Sequence, residues 1–389
     1  MRSAYNETGL YNLAVVKEAK RWCKQDLIEE TQLTTIRENY VSPFYHPNFI
    51  IRILLFVATL IALSGVSGFL GLMISSAGED VFPFACVLYG VASFVFLDKV
   101  FIGKNHHYKS GVTEGMLYHA CGFTICGILW MSDFNEYAGL YICFITFSLV
   151  AFRYLDLLTT ICAMLSFAGI LFYTCYDAGG IFQQIIPFVF IIAFGVVYAA
   201  VKKIKARASL KFWSNNLLIV EAISLLFIYI AGNYLVVREL SVNLMSLYLE
   251  EGQDIPFAYI FYGLTVIMPA AYLYFGIKNK DIVLLRVSLI VIAFSVFTFK
   301  YYFSLGHPEI TLTLAGAILL GITLLLFNYL KTIRHGFTRE NHLAEKWGNL
   351  NLQAFIVSQT LGGNQVVASE QVETGGGGTF GGGGSTDSF

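Results

Sequence analysis

The sequence predicts an all-α, polytopic membrane protein with about ten transmembrane helices and both termini in the cytoplasm. Hydrophobic residues make up 56% of the 389-residue chain and charged residues only 13%, a composition that soluble domains of this size do not have. The apolar residues are collected in runs about as long as a helix that crosses ~30 Å of hydrocarbon. Short segments that alternate between basic and acidic separate these runs.

Ten apolar runs follow one another along the chain. Each approaches the ~20 residues that a membrane-spanning helix needs. The third and fourth runs are short, so they either cross the bilayer or form one re-entrant pair. The ten predicted spans are 50–74, 82–98, 115–131, 137–152, 155–176, 181–201, 216–237, 256–277, 281–300 and 310–330.

The basic residues between the runs indicate the orientation, because short cytoplasmic loops retain Lys and Arg during insertion. Every second joint is basic, whereas the other joints contain only Arg238 and Lys300 as basic residues and carry acidic residues instead. The segments before the first run and after the last run are also basic. The basic joints contain Lys99, Lys104, Lys109, Arg153, Lys202, Lys203, Lys205, Arg207, Lys211, Lys278, Lys280 and Arg286.

The chain divides into four predicted parts. Apolar residues recur at three- and four-residue steps up to Cys23 and again between Glu29 and Tyr40, a period typical of two short amphipathic helices. The C-terminal tail is rich in glycine and has too few apolar residues to form a core. The parts are a cytosolic helical hairpin (1–47), the transmembrane bundle (48–331), a cytosolic polar segment (332–361) and a disordered Gly-rich tail (362–389).

The connection between the two hairpin helices has the sequence Trp22-Cys23-Lys24-Gln25-Asp26-Leu27-Ile28-Glu29-Glu30, and the first span that follows is rich in small residues. This arrangement resembles a bacterial family of multi-pass membrane proteins that is classed only as a domain of unknown function. In that family Gly-Leu-Ile-Ser/Thr joins the two helices, and here Asp26 replaces the glycine and Glu29 the Ser or Thr. The resemblance covers roughly the first 75 residues. It implies a protein of the bacterial inner membrane and no particular activity.

Ionisable residues inside spans are the usual markers of a site or a pathway. The four candidates are Glu114, His119, Glu221 and Arg286. Glu221 and Arg286 lie about one helical turn, ~6–8 Å, from the cytosolic ends of their spans, so they can form an ion pair between the seventh and ninth spans. In the alternative reading, Arg286 extends to the lipid headgroups and Glu221 is paired for structural reasons. Glu114 and His119 are also compatible with an interfacial position that has no catalytic role.

The central thirds of the predicted spans contain no Asp, Glu, Lys, Arg or His. Ion-coupled transporters usually place a charged or unwound site near the midplane, so coupled transport is disfavoured. Pro187 and Pro269 are the positions where a span could be broken.

Two further segments bear on how the bundle is packed and covered. In the first span, Ser64, Ser67, Gly68 and Gly71 predict a face for close helix packing. Residues 238–254 predict a short amphipathic helix on the outer surface, which is either a lid over an outward cavity or a simple connector.

The sequence contains no nucleophile–base set, no CxxC pair and no His/Cys cluster, so we expect no enzyme, no catalytic residues, no cofactor and no metal site. The first function class is a structural or regulatory scaffold in the cytoplasmic membrane, whose hairpin or Gly-rich tail binds a protein partner. The alternative is a transporter, channel or lipid-handling protein with a cytosol-facing cavity near Glu221, Arg286 and His119. We expect contacts with membrane lipids and none with nucleic acid.

Reporter fusions test the predicted topology. Fusions after basic joints should report the cytoplasm and fusions after acidic joints the opposite side, because the basic joints are retained during insertion. The basic positions are Lys109, Lys205 and Lys331, and the acidic positions are Glu79, Asp177 and Glu250. A reversed signal at any two positions would contradict the ten-span topology.

Overall fold

The structure, a computed structural model, describes residues 3–74, 81–205, 212–245 and 253–302, together with isolated helical positions between 313 and 328. These residues form helices joined by short turns. The helices are α1 (Glu7–Lys24), α2 (Glu30–Asn39), α3 (Phe49–Ile74), α4 (Val81–Phe96, continued by a π-helix, Leu97–Lys104), α5 (Val112–Met131), α6 (Glu136–Tyr154), α7 (Leu157–Asp177), α8 (Ile181–Lys205), α9 (Ser214–Gly232), α10 (Tyr234–Glu239, continued by a π-helix, Leu240–Leu244), α11 (Ala258–Lys278) and α12 (Ile282–Tyr302).

Nine helices in the described part of the chain are long and apolar enough to cross a membrane. The all-α fold class is therefore confirmed, and the helices have the length and composition of a multi-pass membrane protein. The predicted tenth span, the polar segment and the Gly-rich tail lie outside the described residues, apart from the isolated positions between 313 and 328.

The third and fourth predicted spans are longer than the hydropathy pattern suggested. α5 has 20 residues and α6 has 19, so each rises about 27–29 Å at ~1.5 Å per residue. The extra length comes from polar residues such as Thr113 and Glu136, which the apolar runs did not include. Both helices are therefore long enough to cross a membrane, and their length no longer suggests a re-entrant pair.

Consecutive membrane-length helices are antiparallel, so their joints gather at two ends of the bundle. We call the end with joints 105–111, 155–156 and 279–281 and with the last residue of α8, Lys205, the basic end, and the opposite end the acidic end. Contacts between distant joints hold the basic end together: Trp213 Nε1 donates to the Phe152 carbonyl at 2.8 Å. Asn216 Nδ2 donates to the Asp156 carbonyl at 2.9 Å.

The helix α9 occupies the centre of the second half of the bundle. It packs most extensively on α8 and also contacts α7, α11 and α12. Glu221, Ser224, Leu225 and Tyr229 on α9 are almost completely buried. In the first half, α4 and α5 form the closest pair.

Glycine residues allow the close approach of α4 and α5. A Cβ atom on Gly90 would lie 2.3 Å from Thr124 Oγ1 and 2.8 Å from the Thr124 backbone nitrogen. A Cβ atom on Gly127 would lie 2.7 Å from the Pro83 carbonyl oxygen. In a membrane, close packing of this kind supplies the van der Waals contact that drives helix association.

The helix α3 lies at the edge of the bundle. None of its residues is buried, and it packs mainly on α5. A Cβ atom on Gly65 or Gly68 would meet no atom within 4 Å. The small residues of α3 therefore do not form the predicted close-packing face with any described helix.

The N-terminal hairpin is attached to the basic end through its base. Tyr5 and Phe44 are buried in the same apolar cluster as Leu117 and Val150 of the bundle. The Ala4 N–H donates to the carbonyl oxygen of Arg153 at 2.8 Å. The two predicted hairpin helices are present as α1 and α2, and Asp26 adopts a left-handed φ of 55° in the turn between them.

The glycine contacts between α4 and α5 give a prediction with opposite signs at two positions. Gly127→Ala should lower the melting temperature, because overpacking against the α4 backbone costs about 1–3 kcal/mol. Gly122→Ala on the same helix is the matched control: its Cβ would meet no atom within 4 Å, so it should be neutral or stabilise by up to ~1 kcal/mol through helix propensity. Equal effects of the two changes on thermal unfolding would contradict this packing.

Candidate functional site

Glu114 stabilises the first turn of α5. Its Oε2 accepts hydrogen bonds from the Gly111 N–H and from Thr113 Oγ1, both at 2.8 Å. Arg52 Nη2 on α3 lies 2.5 Å from its Oε1. The glycine is required here, because Gly111 has φ +89° and a Cβ would lie 2.0 Å from the Arg52 carbonyl oxygen. These contacts give Glu114 a structural role that ties α3 to α5.

His119 lies deeper in its helix than the sequence suggested, because α5 begins at Val112. It is the eighth residue of the helix, about 10 Å along the axis. Its Nε2 lies 3.2 Å from the Tyr89 hydroxyl on α4, and its ring packs against Phe123 with centroids 4.7 Å apart. Tyr89 and Phe123 line an apolar groove of about 290 Å³ between α3 and α4.

The predicted ion pair between Glu221 and Arg286 is wrong. Glu221 is fully buried; Lys202 Nζ lies 2.6 Å from its Oε1 as an ion pair, and Lys205 Nζ donates to its Oε2 at 2.9 Å. Arg286 is exposed on α12 and forms no ion pair with any described residue, whereas the adjacent Val287 is buried. The two residues match in depth, but the rotation of α12 directs Arg286 outward, as expected for a side chain that reaches the headgroups.

Asp281 joins the cluster around Glu221 from the joint before α12. It pairs with Lys202, and its carboxylate also accepts from the backbone N–H groups of Val283 and Leu284 at 3.0 and 3.2 Å. Burial raises the pKa of the Asp281 carboxyl, but Lys202 and the N–H donors outweigh burial and hold this pKa below its ordinary value. The cluster thereby ties α8, α9 and α12 together.

The four predicted site residues do not form one site. Glu114 and His119 have partners on α3 and α4, Glu221 has partners on α8, and Arg286 is exposed. Where these side chains are buried and charged, oppositely charged neighbours within the bundle already compensate them. The described geometry therefore gives the charged candidates structural roles.

The structure contains a cavity at the acidic end and not near Glu221, Arg286 and His119, where the hypothesis of a transporter, channel or lipid-handling protein placed one. It has a volume of about 220 Å³ and lies among α7, α8, α9, α10 and α11. Its walls are mostly apolar. The wall residues include Phe172, Ile186, Pro187, Phe190, Phe227, Ile230, Val237 and Phe261.

The predicted seventh span is broken beside this cavity. The helical segment after the break, residues 234–244, forms the roof of the cavity. The span 216–237 is not continuous: α9 ends at Gly232, Asn233 is extended, and α10 begins at Tyr234. Asn233 is fully buried; its Oδ1 accepts from the Val236 N–H at 3.3 Å, and its Nδ2 donates to the Tyr229 hydroxyl at 2.9 Å. The bond to Asn233 Oδ1 gives the backbone N–H of Val236 a partner, which the interrupted helix does not provide.

The segment after the break covers the cavity. Val236, Val237 and Leu240 contribute to its wall. The helix predicted for 238–254 therefore begins earlier, at Tyr234, and its described part supports the lid rather than the simple connector. The spans are not broken at the two prolines that could have interrupted them, since α8 and α11 continue through Pro187 and Pro269.

The polar groups of the cavity lie on α8 and on the roof. Gln183 donates one Nε2 N–H to the Tyr176 carbonyl at 3.0 Å, which leaves its second N–H as a donor and its Oε1 as an acceptor. Ser241 donates to the Val237 carbonyl at 2.7 Å, which leaves its oxygen lone pairs. The exposed Gln184 also lines the cavity. The turn before α8 uses two left-handed glycines, Gly179 (φ 66°) and Gly180 (φ 55°), a conformation that other residues rarely adopt.

The charged residues of α10 and of the described part of the next joint have partners outside the cavity. These contacts are Arg238 over the Tyr302 ring at 5.2 Å, Asn243 Nδ2 to Glu239 Oε2 at 2.8 Å, and the Tyr234 and Tyr262 hydroxyls to the Asp254 carboxylate at 2.7 and 2.8 Å. Burial raises the pKa of Asp254, but the hydrogen bonds from tyrosine and from the Ile255 N–H outweigh burial and lower this pKa overall.

Sequence reasoning missed the cavity because its residues are ordinary apolar residues from five helices. One local signal was available at the break: Gly232-Asn233 combines a residue that often ends a helix with one that often begins the next. The hydropathy window obscured this signal, because Tyr234, Leu235, Val236 and Val237 continue the apolar run.

The cluster around Glu221 gives a prediction about stability. Lys202→Met should lower the melting temperature, because it leaves Glu221 and Asp281 short of a cation; the half-exposed position of Lys202 reduces the usual ~3–5 kcal/mol cost of breaking a buried pair. Combining it with Glu221→Gln should cost less than the sum of the single changes. Arg286→Met is the control and should change stability by less than ~0.5 kcal/mol. A larger loss from Arg286→Met than from Lys202→Met would contradict the observed pairing.

Comparisons with known proteins do not assign a function. A scan against models of protein families, a search of curated proteins and a search of solved structures each found no match to this chain. The function is therefore argued from the geometry of the bundle.

Proposed function

We propose that the protein is a multi-pass protein of the bacterial cytoplasmic membrane that binds the apolar chain of a lipid from the outer leaflet. In this proposal the basic end and both termini face the cytoplasm, and the acidic end faces outward. The alternation of basic and acidic joints supports the orientation. The nine helices of membrane length in the described part of the chain support the location in a membrane.

The cavity at the acidic end carries the proposal. Ligand sites in proteins are typically concave and mostly apolar, with a few polar groups that orient the ligand. The cavity has this character, since Phe190, Phe227 and Phe261 lie in its wall and Gln183 and Gln184 line it as well.

The free energy gained on binding a lipid chain has a different source here from that in a soluble protein. A lipid chain is already in an apolar medium, so its transfer into the cavity yields little hydrophobic free energy. The gain comes from van der Waals contacts with side chains that otherwise face a void. We therefore expect modest affinity and strong dependence on the shape of the cavity.

Photo-crosslinking in phosphatidylcholine nanodiscs tests this function. Dodecyl chains with a diazirine and a glycerol, carboxylate or trimethylammonium head should label the cavity walls on α8 and α9, and excess unlabelled chain should reduce this labelling. Val236→Trp, which fills the cavity, should abolish at least ~90% of the labelling, whereas Val91→Trp on the exposed face of α4 should leave it unchanged. Equal labelling of both variants, checked by peptide mapping, would contradict the proposal.

The hairpin favours a second candidate function, the scaffold. Its base is fixed to the bundle by buried Tyr5 and Phe44, whereas Trp22 and Leu27 near its tip are 41% and 54% exposed. A rigidly attached element with exposed large apolar side chains is suited to hold a protein partner.

A photo-crosslinking residue at Leu27 tests the scaffold. In native membranes it should give one discrete protein adduct, because this side chain faces outward. The same residue at Leu33, which is buried inside the hairpin, is the control and should give none. The scaffold would be contradicted by the absence of an adduct at Leu27 or by equal adducts at the two positions, detected by immunoblot and mass spectrometry.

A further inference from the structure

We infer that the cavity selects a single-chain amphiphile with an uncharged, hydroxyl-bearing head, of the monoacylglycerol type. This inference rests on the proposed function and specifies its ligand class. Three observations carry it: the size of the cavity, the hydrogen-bonding state of its polar groups and the charges of its surroundings.

The size of the cavity limits the ligand to one chain. Its volume of about 220 Å³ lies below the ~300–1,000 Å³ of sites for drug-sized ligands. Phe190, Phe227 and Phe261 come from three different helices and narrow the space between them. A two-chain lipid would therefore have to leave its second chain outside.

The polar groups in the wall of the cavity accept hydrogen bonds and in part also donate them. Ser241 donates its proton to the Val237 carbonyl, so its oxygen can only accept a further bond. Gln183 donates one N–H to the Tyr176 carbonyl and keeps its second N–H and its Oε1. Gln184 has a side-chain amide that both donates and accepts. A glycerol hydroxyl both donates and accepts, so it can pair with all of these groups, whereas an ionised carboxylate has no proton to donate to the three oxygens.

No charged residue lines the described part of the cavity. The described residues that line the cavity include no Asp, Glu, Lys, Arg or His. Arg238 lies over the Tyr302 ring, and Asp254 is held by the hydroxyls of Tyr234 and Tyr262. A charged head at this position finds no counter-charge among the described lining residues, so neither an anionic nor a cationic head gains an ion pair there.

The position of the polar groups fits a head at the membrane surface. Gln183 and Gln184 lie in the first turn of α8, and Ser241 lies just after α10, all at the acidic end. Phe190 and Phe227 lie about one to two turns further into the bundle. A chain directed inward from this end would therefore place its head beside the glutamines.

Competition with unlabelled ligands that share a dodecyl chain tests the inference. The full-length protein in phosphatidylcholine nanodiscs is labelled with the glycerol-headed diazirine probe, at an alkaline pH that keeps the fatty acid ionised. Monododecanoylglycerol should displace the probe at a concentration at least about tenfold lower than dodecanoate or dodecyltrimethylammonium. In Gln184→Leu this preference should fall several-fold while labelling of the walls persists, because the variant removes one of the hydrogen-bonding groups beside the head. Gln32→Leu on the distant helix α2 is the matched control and should keep the wild-type preference.

The outcomes separate this inference from the proposed function. If the three heads compete equally, or if a charged head competes better, the uncharged ligand class is wrong while chain binding stands. If Gln184→Leu keeps the full preference, the assigned role of the acceptor groups is wrong. If no chain labels the cavity walls in the wild-type protein, with any head, both the proposed function and this inference fail.

Discussion

The structure depends on one constraint: polar groups inside an apolar bundle must find their partners within the protein. At the basic end this constraint is met by charge pairs, in which Glu221 takes two lysines and Glu114 takes Arg52. At the break between α9 and α10 it is met by neutral groups, with Asn233 bonded to Tyr229 and to the first turn of α10. The same requirement therefore gives a basic end whose helices are joined by ion pairs, and an acidic end where a broken helix is held by hydrogen bonds between neutral groups.

This difference between the two ends explains where a ligand can bind. The ion pairs of the basic end join different helices, so separating these helices would leave charges unpaired at a considerable cost in free energy. The segment after the break has no described ion pair with α8. Its residues Val236, Val237 and Leu240 line the cavity instead. A cavity can therefore exist at the acidic end without leaving a buried ion uncompensated.

Packing density also varies across the bundle, as the surroundings of its glycine residues show. Gly90 and Gly127 bring α4 and α5 into backbone contact, whereas Gly65 and Gly68 on α3 meet no neighbouring atom. Small residues therefore permit close packing but do not cause it, because a partner helix must also present a matching surface. His119 lies beside the loosely packed groove between α3 and α4, and its described hydrogen bond is to the neutral Tyr89.

The sequence by itself determined the helical class, the approximate limits of the membrane-length helices and the separation of basic from acidic joints. These features follow from hydropathy and charge summed over many residues, so an error at one position changes little. The hairpin followed from the helical period of its apolar residues. Only the tertiary structure decided which lysines pair with Glu221, where the seventh span breaks and which apolar residues leave a cavity. Depth along a helix can be counted from the sequence, but the direction of a side chain depends on the rotation of its helix against its neighbours. For that reason Arg286 matched Glu221 in depth and still lies on the exposed face.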